Sequence, residues 1–521
     1  MISFKHKKTK KGSGLVMALV MIVVVSIILT SLLSYISSQI NYSRDRVERE
    51  RAFQIAEAGA YYYRWYLAHQ IQGRTAQQIA DFWATDNVAT GDPLGVFRNY
   101  TAEFKDPDGN AIGQYELEVT PPSAGSTIVT AKSTGWTNKK PSAKRTVQVR
   151  FRRPSWSEYI FLSDSYMNFG DQATVYGKVH SNFGIRFTGK AYNTVSARPS
   201  SFNDPNYGGS ALDFGVYTAT DSHAPSGEAS TWPSGTVKTW PLVFLGGREF
   251  PTPEVNFSGV SADLDSMKTQ AQSGNGQYYD NSGVGRKITL KSGGTYDICT
   301  VSSATNNSRA ITGFSGFVRD ASPTSGNGAP CTTNICCSGI ACPYISNGHH
   351  NQGRCESLLP AYKDVNIVDN GVIFVDDNIW VEGPINNKRI AIVAGGTNAD
   401  IYIGLGAVAN DLRYASYNCS NKIGLVAQRN VLILNSCPNS FTVDAALLAQ
   451  NGLVGINDNG FSSKTSLTFN GAIASRQQPF FQHGNSGFAV RFYNFDNDLL
   501  YCPPPYFPTG TEYSIDQWDE L

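Results

Sequence analysis

The sequence predicts an α+β multidomain protein: a long N-terminal helix, a small antiparallel sheet, and a large β-rich body forming a right-handed parallel β-helix with a disulfide-rich insertion. Three observations predict it. An apolar run from Leu15 to Leu33 passes without interruption into a charged amphipathic stretch ending near Ala58. Segments between Val96 and Phe151 alternate in polarity. Beyond Pro154, short aliphatic strands recur at intervals of about ten residues with asparagine between them. The expected segments are a basic leader at 1–12, a transmembrane and amphipathic helix at 13–85, a sheet domain at 95–153, a body at 154–510 with a cysteine-rich insertion at 299–356, and a tail at 511–521.

The leader carries Lys5, Lys7, Lys8, Lys10 and Lys11. The run after it is about 19 residues long, which at roughly 1.5 Å per residue spans about 28 Å, close to the hydrocarbon thickness of a bilayer. Only Ser26, Thr30 and Ser31 interrupt its apolarity. The chain is therefore expected to cross the cytoplasmic membrane once, N-terminus inside and body outside. An ordinary signal peptide has a shorter apolar region and a small-residue cleavage site after it. Here the helix breakers, Gly12 and Gly14, precede the run, so a peptidase acting there would remove the lysines and leave the apolar segment as the new N-terminus. One helix is expected to continue to about Ala80, with Ile40, Val47, Ile55 and Tyr62 on one face and local ion pairs in the Arg44 to Arg51 stretch. Tyr61, Tyr62, Trp65 and Tyr66 form a stripe expected to cover the first domain.

This N-terminus resembles the class III signal of type IV prepilins, and within that superfamily the PilX-type minor pilins. The residues that carry the likeness are Lys10, Lys11, Gly12, Ser13, Gly14, Leu15 and Val16, followed by Ala52, Phe53, Gln54, Ile55, Ala56, Glu57 and Ala58. The resemblance implies cleavage by a prepilin peptidase between Gly12 and Ser13, with Gly14 and Leu15 as the alternative junction. It also implies partners: other pilins and minor pilins through the helix. Major pilins carry glutamate at the fifth mature position, thought to neutralise a neighbour's N-terminal amine inside the apolar core. Here that position is Met17, or Leu19 for the second junction, and no acid occurs between Lys11 and Asp45. A missing carboxylate suits a subunit with none ahead of it, a filament tip. An uncleaved anchor that never polymerises is the competing reading.

Composition limits the remainder. With 43 Lys plus Arg against 42 Asp plus Glu, the chain has no electrostatic footprint for nucleic acid. Charged residues make up only 16% while Gly (49), Tyr (26) and Phe (27) are plentiful, which suits a β-rich extracytoplasmic protein rather than a cytosolic enzyme. The cysteines, all expected as disulfide candidates, are Cys299, Cys331, Cys336, Cys337, Cys342, Cys355, Cys419, Cys437 and Cys502. Five cluster in a stretch of Gly, Asn, Ser and Pro with little to build a core, so disulfides are expected to hold it. Nine cannot all pair within one chain; one is left over or bonds to a partner. Zinc is the alternative, since His349 and His350 lie between Cys342 and Cys355, but the spacing fits no finger.

Strands are expected at Tyr115 to Val119, Ser126 to Ala131 and Arg145 to Phe151, as in the small sheet that packs on a pilin helix. Asp106, Pro107, Asp108 and Gly109 read as a turn; calcium would need a ligand pattern that is absent. In the body, strands are expected at Val372 to Val375, Ile379 to Val381, Ile390 to Val393, Ile401 to Leu405, Ile423 to Val426, Val431 to Leu434, Ala445 to Leu448 and Leu467 to Ile473. Asparagines between them (Asn378, Asn387, Asn398, Asn410, Asn421, Asn430, Asn451, Asn459, Asn470) suit left-handed corners. A β-sandwich is the alternative, though its strands should alternate more cleanly. The coil is expected to begin at Thr174 to Asn182 and continue through Ile185, Phe187 and Gly189. The run Gly177, Val179, His180, Ser181 and Asn182 resembles a motif of the large C-terminal domain of many PilX-like proteins. So do Gly424 to Gln428 and the ending Tyr493, Phe495, Asp496, Leu499, Pro503, Pro504, Tyr506, Phe507 and Pro508.

Some β-helices are polysaccharide lyases or hydrolases, so paired acids are candidate catalysts. Asp376 and Asp377 with Glu382, and Asp496 with Asp498, are the best paired carboxylates, and both sets sit in expected turns. His180 has no partner at a recognisable spacing, and His483 with Gln477 and Gln478 carries no signal. No Walker loop, dinucleotide fingerprint or nucleophile elbow occurs. The expectation is no enzyme, no cofactor and no metal. The chain reads as a minor pilin-like subunit at the tip of a type IV pilus or related filament, priming assembly or adhering to a surface glycan or protein receptor. The alternatives are a membrane-tethered surface protein without a filament, or a β-helical carbohydrate-active enzyme.

Overall fold

The computed structural model describes residues 13–71, 74, 76–84, 99–122, 128–153, 156–206, 213–218, 238–240, 243–255, 257, 264–315, 317–319, 356–358, 364–406, 412–457, 460–507 and 513–521. Gly12 and the five clustered cysteines, with His349 and His350, lie outside them.

Helix α1 runs unbroken over Ser13–Ile71, 59 residues. A separate amphipathic helix, α2, covers Ala76–Ala84, so the single helix expected to reach residue 80 is two. The first part of α1 has mean hydropathy 2.9 and buries nothing against the rest of the chain. Two of its hydroxyls bond back within the helix: Thr30 donates to the Ser26 carbonyl at 2.7 Å and Ser31 to that of Ile27 at 2.8 Å. From Ala52 onward one face becomes core.

That face rests on an antiparallel sheet of β1 (Tyr100–Lys105), β2 (Ala111–Thr120), β3 (Ile128–Thr137) and β4 (Lys140–Arg152). Strand β1 had not been expected. The C-terminal segment is not a loose tail, because Ser514–Glu520 pairs antiparallel with β4 as the fifth strand, Trp518 opposite Val149. Tyr115, Leu117, Val129, Ala131, Val147, Val149 and Phe151 face the helix, alternating with solvent-facing polar residues. The 106–110 segment is a turn: the Asn110 amide donates to Asp106 Oδ1 at 2.8 Å, and such bonds hold the Asp106 carboxyl below its usual range.

In the body, strands Gly276–Tyr279, Gly371–Val375, Arg389–Ala394, Lys422–Ala427, Ser440–Ala449 and Ser463–Ser475 lie side by side in parallel, in chain order. A second sheet stacks Gly285–Lys291, Ile379–Glu382, Ile401–Ile403, Val431–Ile433 and Val454–Ile456 in parallel. The chain thus visits the two sheets alternately, and the aliphatic strands fall where the sequence predicted them. The sheets are nevertheless mixed. Thr295–Ala304, which carries Cys299, folds back antiparallel on Gly285–Lys291, and antiparallel pairs also occur at 238–249 and 482–487.

Stacking order departs from chain order where C-terminal strands meet N-terminal ones: Ser486–Phe495 pairs in parallel with Ala173–Tyr176, Arg491 opposite Ala173. The neighbour that follows Ser463–Ser475 is Phe161–Ser163, then Val179–Ser181, then Val195–Ala197. The segment expected to begin the coil therefore caps its end. Isoleucine and valine side chains such as Ile373, Ile392, Leu425, Val381 and Ile401 fill the space between the sheets. The opposite face of the first sheet is buried too: Val372, Phe374, Val393, Val426 and Leu448 are covered by a third helix, Leu264–Gln272, and by Leu499 and Phe507. Two-sided burial is why these strands read as continuous aliphatic runs.

Asparagine turns the corners in two ways. Asn387 and Asn398 are left-handed, with φ of 51° and 59°. Asn378, Asn421, Asn430, Asn451 and Asn470 act instead through side chains that bond neighbouring segments, as where Asn430 Oδ1 accepts from the Leu453 amide at 3.0 Å and Asn378 Oδ1 from the Asp400 amide at 3.0 Å. The left-handed role expected of all of them holds for two of the seven described. Asn410 and Asn459 lie outside the described residues.

Candidate functional site

The residues with functional promise fall in three places: the exposed half of α1, the outer face of the body, and a cleft in the body. Along α1, Leu15 and Met17 at the start of the run are solvent-facing, 76% and 70% exposed, and so are Ile22, Ile28 and Leu33. A rod of this kind buries its side chains only in lipid or against other apolar helices. The transition to packed helix is sharp. Ala52 and Ala56 sit flat on β3, where a Cβ on Gly135 would stand 2.4 Å from the Ala52 carbonyl oxygen and 2.4 Å from the Ala56 nitrogen. The Ala52 to Ala58 motif therefore supplies the small residues that allow helix and sheet to touch at backbone distance. Just before it, Asp45 pairs with Lys140 in the β3–β4 hairpin, and Glu48 with Arg51 at 3.1 Å.

The aromatic stripe behaves unequally. Tyr62 stacks with Tyr100 at 6.1 Å and Tyr61 faces Trp518 at 5.6 Å, while Trp65 stays largely exposed with its ring 4.3 Å from that of His69. Tyr63, which the stripe omits, is the fully buried member.

The paired acids each have a structural partner. Asp376 accepts from Lys268 Nζ at 2.6 Å and from Tyr278 Oη at 2.5 Å. Asp377 Oδ1 accepts from the Asn378 amide at 2.7 Å, and burial pushes its carboxyl above the usual range. Glu382 meets Lys287 at 2.7 Å, both buried. Asp496 caps the short 3-10 helix at Asn497–Leu500 and, with Asp498, receives Lys422 Nζ at 2.8 and 3.3 Å. His180 is held by Ser196 at 3.0 Å and by Asn182 at 3.3 Å; burial pushes it below its ordinary value. Among the described residues no three His, Cys, Asp or Glu side chains converge as metal ligands.

Cys419 and Cys502 form a disulfide, Cys299 is disulfide-bonded, and Cys437 is a buried thiol, so it leaves the set expected to be bridged. The Cys419–Cys502 bridge lies beside Gly424, where a Cβ would come within 2.7 Å of Pro504. The two stretches that carried the resemblance in the body, Gly424 to Gln428 and Tyr493 to Pro508, are thus in contact.

On the outer face Tyr176 and Tyr192 stack at 4.4 Å, both more than 40% exposed. A ladder of amides adjoins them, Asn494 donating to Asn470 at 2.8 Å and Asn470 to Asp444 at 2.7 Å. The cleft, of about 590 Å³, opens where Asn168, Phe169 and Gly170 meet Gln478, Phe480 and Arg491. His483 and Gln478, which carried no signal in the sequence, both line it. The non-sequential pairing of Ser486–Phe495 with Ala173–Tyr176 brings Arg491 beside the 168–170 side of the cleft.

No protein-family model and no curated protein sequence matches the chain. Among solved structures, the competence-associated pilin ComZ from Thermus thermophilus covers 91% of this chain and 97% of its own length, with 13% identity and a TM-score of 0.29. A likeness at that score carries no argument about fold or role.

Proposed function

We propose that this protein is a minor pilin-like subunit of a type IV pilus or related filament. The exposed half of α1 is its membrane anchor before assembly and its packing surface afterwards. One observation carries this reading: α1 begins as an exposed apolar rod, passes through the charged 44–51 stretch and from Ala52 packs tightly on an antiparallel sheet, the pattern of a rod meant for lipid or like helices joined to a folded head. Cleavage between Gly12 and Ser13 would free the rod of its lysines. The absence of an acid before Asp45 suits a subunit with no neighbour ahead of it, and the bulk of the body suits the filament end; priming of assembly, adhesion, or both follow from that position.

We read the alternating return of strands between two stacked sheets as a β-helix. Its stacked tyrosines and amide ladder offer a surface for a glycan or protein receptor. We assign no catalysis to Asp376, Asp377, Glu382, Asp496, Asp498 or His180, since every one is engaged in a turn, an ion pair or a hydrogen bond that holds the fold.

A membrane-tethered surface protein with no filament would need the same exposed rod. Immunogold labelling of intact cells separates the two: gold on filament ends is expected, and uniform envelope labelling that persists without filaments defeats the filament reading.

A further inference from the structure

We propose that the cleft between the 167–170 turn and the 478–491 segment binds an acidic sugar residue, one carrying a single carboxylate. The inference concerns the body alone and stands whether or not the protein enters a filament.

Arg491 is the main observation. It is 4% exposed, yet it lines the cleft. Its Nη1 donates to Gln482 Oε1, to the Phe488 carbonyl at 2.6 Å and to the Ala489 carbonyl at 3.2 Å. All three acceptors are neutral. Three arginines of the body meet a carboxylate, Arg413 on Asp444, Arg429 on Asp400 and Arg476 on Asp164, while buried Arg248 and Arg389, like Arg491, donate to backbone carbonyls; of these three buried arginines Arg491 is the one that lines the cleft. A buried cation held only by neutral oxygens is costly unless an anion joins it. Its second terminal nitrogen, Nη2, lies 3.2 Å from where a Cβ on Gly170 would stand, and both residues line the cleft. A carboxylate seated beside Gly170 would receive a charge-assisted bond there.

Asn168 adds the second requirement. Its Oδ1 is buried with no donor among the described residues, which makes it an acceptor for a ligand hydroxyl. Phe169, Phe480 and Tyr493 give the cleft apolar faces for the C–H side of a sugar ring, and Gln478 adds an amide at its lining. The set therefore asks for one anion, at least one hydroxyl and an apolar ring face. A single cation fits one carboxylate better than a phosphate, which recruits several. A zwitterionic amino acid would leave its ammonium without a carboxylate in the cleft.

The test uses the full chain in detergent, with methyl glucuronide and methyl glucoside as probes, read by isothermal titration calorimetry with saturation-transfer NMR for weak binding. The glucuronide is expected to bind at least about tenfold more tightly than the glucoside, the difference a charge-assisted bond supplies. Gly170→Leu, which fills the space beside Nη2, is expected to abolish glucuronide binding while the melting temperature stays within that of the native protein. Arg491→Gln should erase the preference between the two sugars, and Asn168→Ala should weaken both. If Arg491→Gln unfolds, Gly170→Leu and Asn168→Ala still decide. Equal affinity for the two sugars, no binding of glucuronide at about 10 mM, or binding undiminished in a folded Gly170→Leu protein would each overturn the proposal.

Discussion

Lys422 and Asp496, 74 residues apart in sequence, meet at 2.8 Å with the lysine wholly buried. Burial pushes the Asp496 carboxyl above the usual carboxylate range, and Lys422 opposes that shift. The pair, the Cys419–Cys502 disulfide and the bond from Arg389 to the Pro503 carbonyl together clamp the 496–507 segment across the outer face of the first parallel sheet. Without that cover Val426, Ala446 and Leu448 would face water.

Breaking the ion pair on one side leaves a buried charge alone. Lys422→Met is expected to cost about 3–5 kcal/mol, and the double variant Lys422→Met, Asp496→Leu to recover most of it. Chemical denaturation of the native, single and double proteins measures this; a single variant as stable as the native would show the pair to be dispensable.

The disulfide closes a separation of 83 residues. Its removal by Cys419→Ala with Cys502→Ala is expected to destabilise the body by about 2–4 kcal/mol, with no change in the spectrum of the folded state. Unaltered stability with and without the bridge would contradict the clamp.

Gly135 is a close contact between helix and sheet. Gly135→Leu would drive a side chain into the Ala52 and Ala56 backbone, so α1 must lift away or the sheet must shift. The expected result is a loss above about 2 kcal/mol and faster hydrogen exchange over residues 52–67. Native exchange rates there would mean the helix is held by other contacts.

Much of this was readable in advance, for a physical reason. The apolar rod and the aliphatic strands from Val372 onward are set by local periodicity, which sequence displays directly, whereas the Ala52 to Ala58 motif carries only a resemblance in sequence and its contact with Gly135 emerges from the fold. The acids near Asp376 and Asp496 were readable as turn residues because short polar side chains beside asparagine have an evident local use. What stayed hidden depends on distant partners. Nothing near Ser514 announces that it will pair with β4, and nothing at Phe161 announces that it will stack on Ser475. The cleft inherits that blindness, since it is the pairing of Ser486–Phe495 with Ala173–Tyr176 that brings Arg491 beside its 168–170 side. Cys437 was grouped with bridged cysteines because counting thiols does not tell which one a strand end will bury.

His180 sets a pH dependence. Its pKa is depressed by burial, so the unfolded chain binds a proton that the folded one resists, and stability present above the ordinary imidazole value is lost as pH falls through it. The melting temperature is expected to drop between pH 7.5 and pH 5 less steeply in His180→Asn than in the native protein. Parallel curves for the two would remove His180 from the account.

The fate of the lysine leader tests the central claim most directly. Intact-mass and N-terminal sequence analysis of the protein recovered from its own cells is expected to begin at Ser13, or at Leu15 for the second junction, with α1 complete behind it. A protein that still begins at Met1, or that starts beyond Leu33, would contradict the conversion of a membrane anchor into a filament rod.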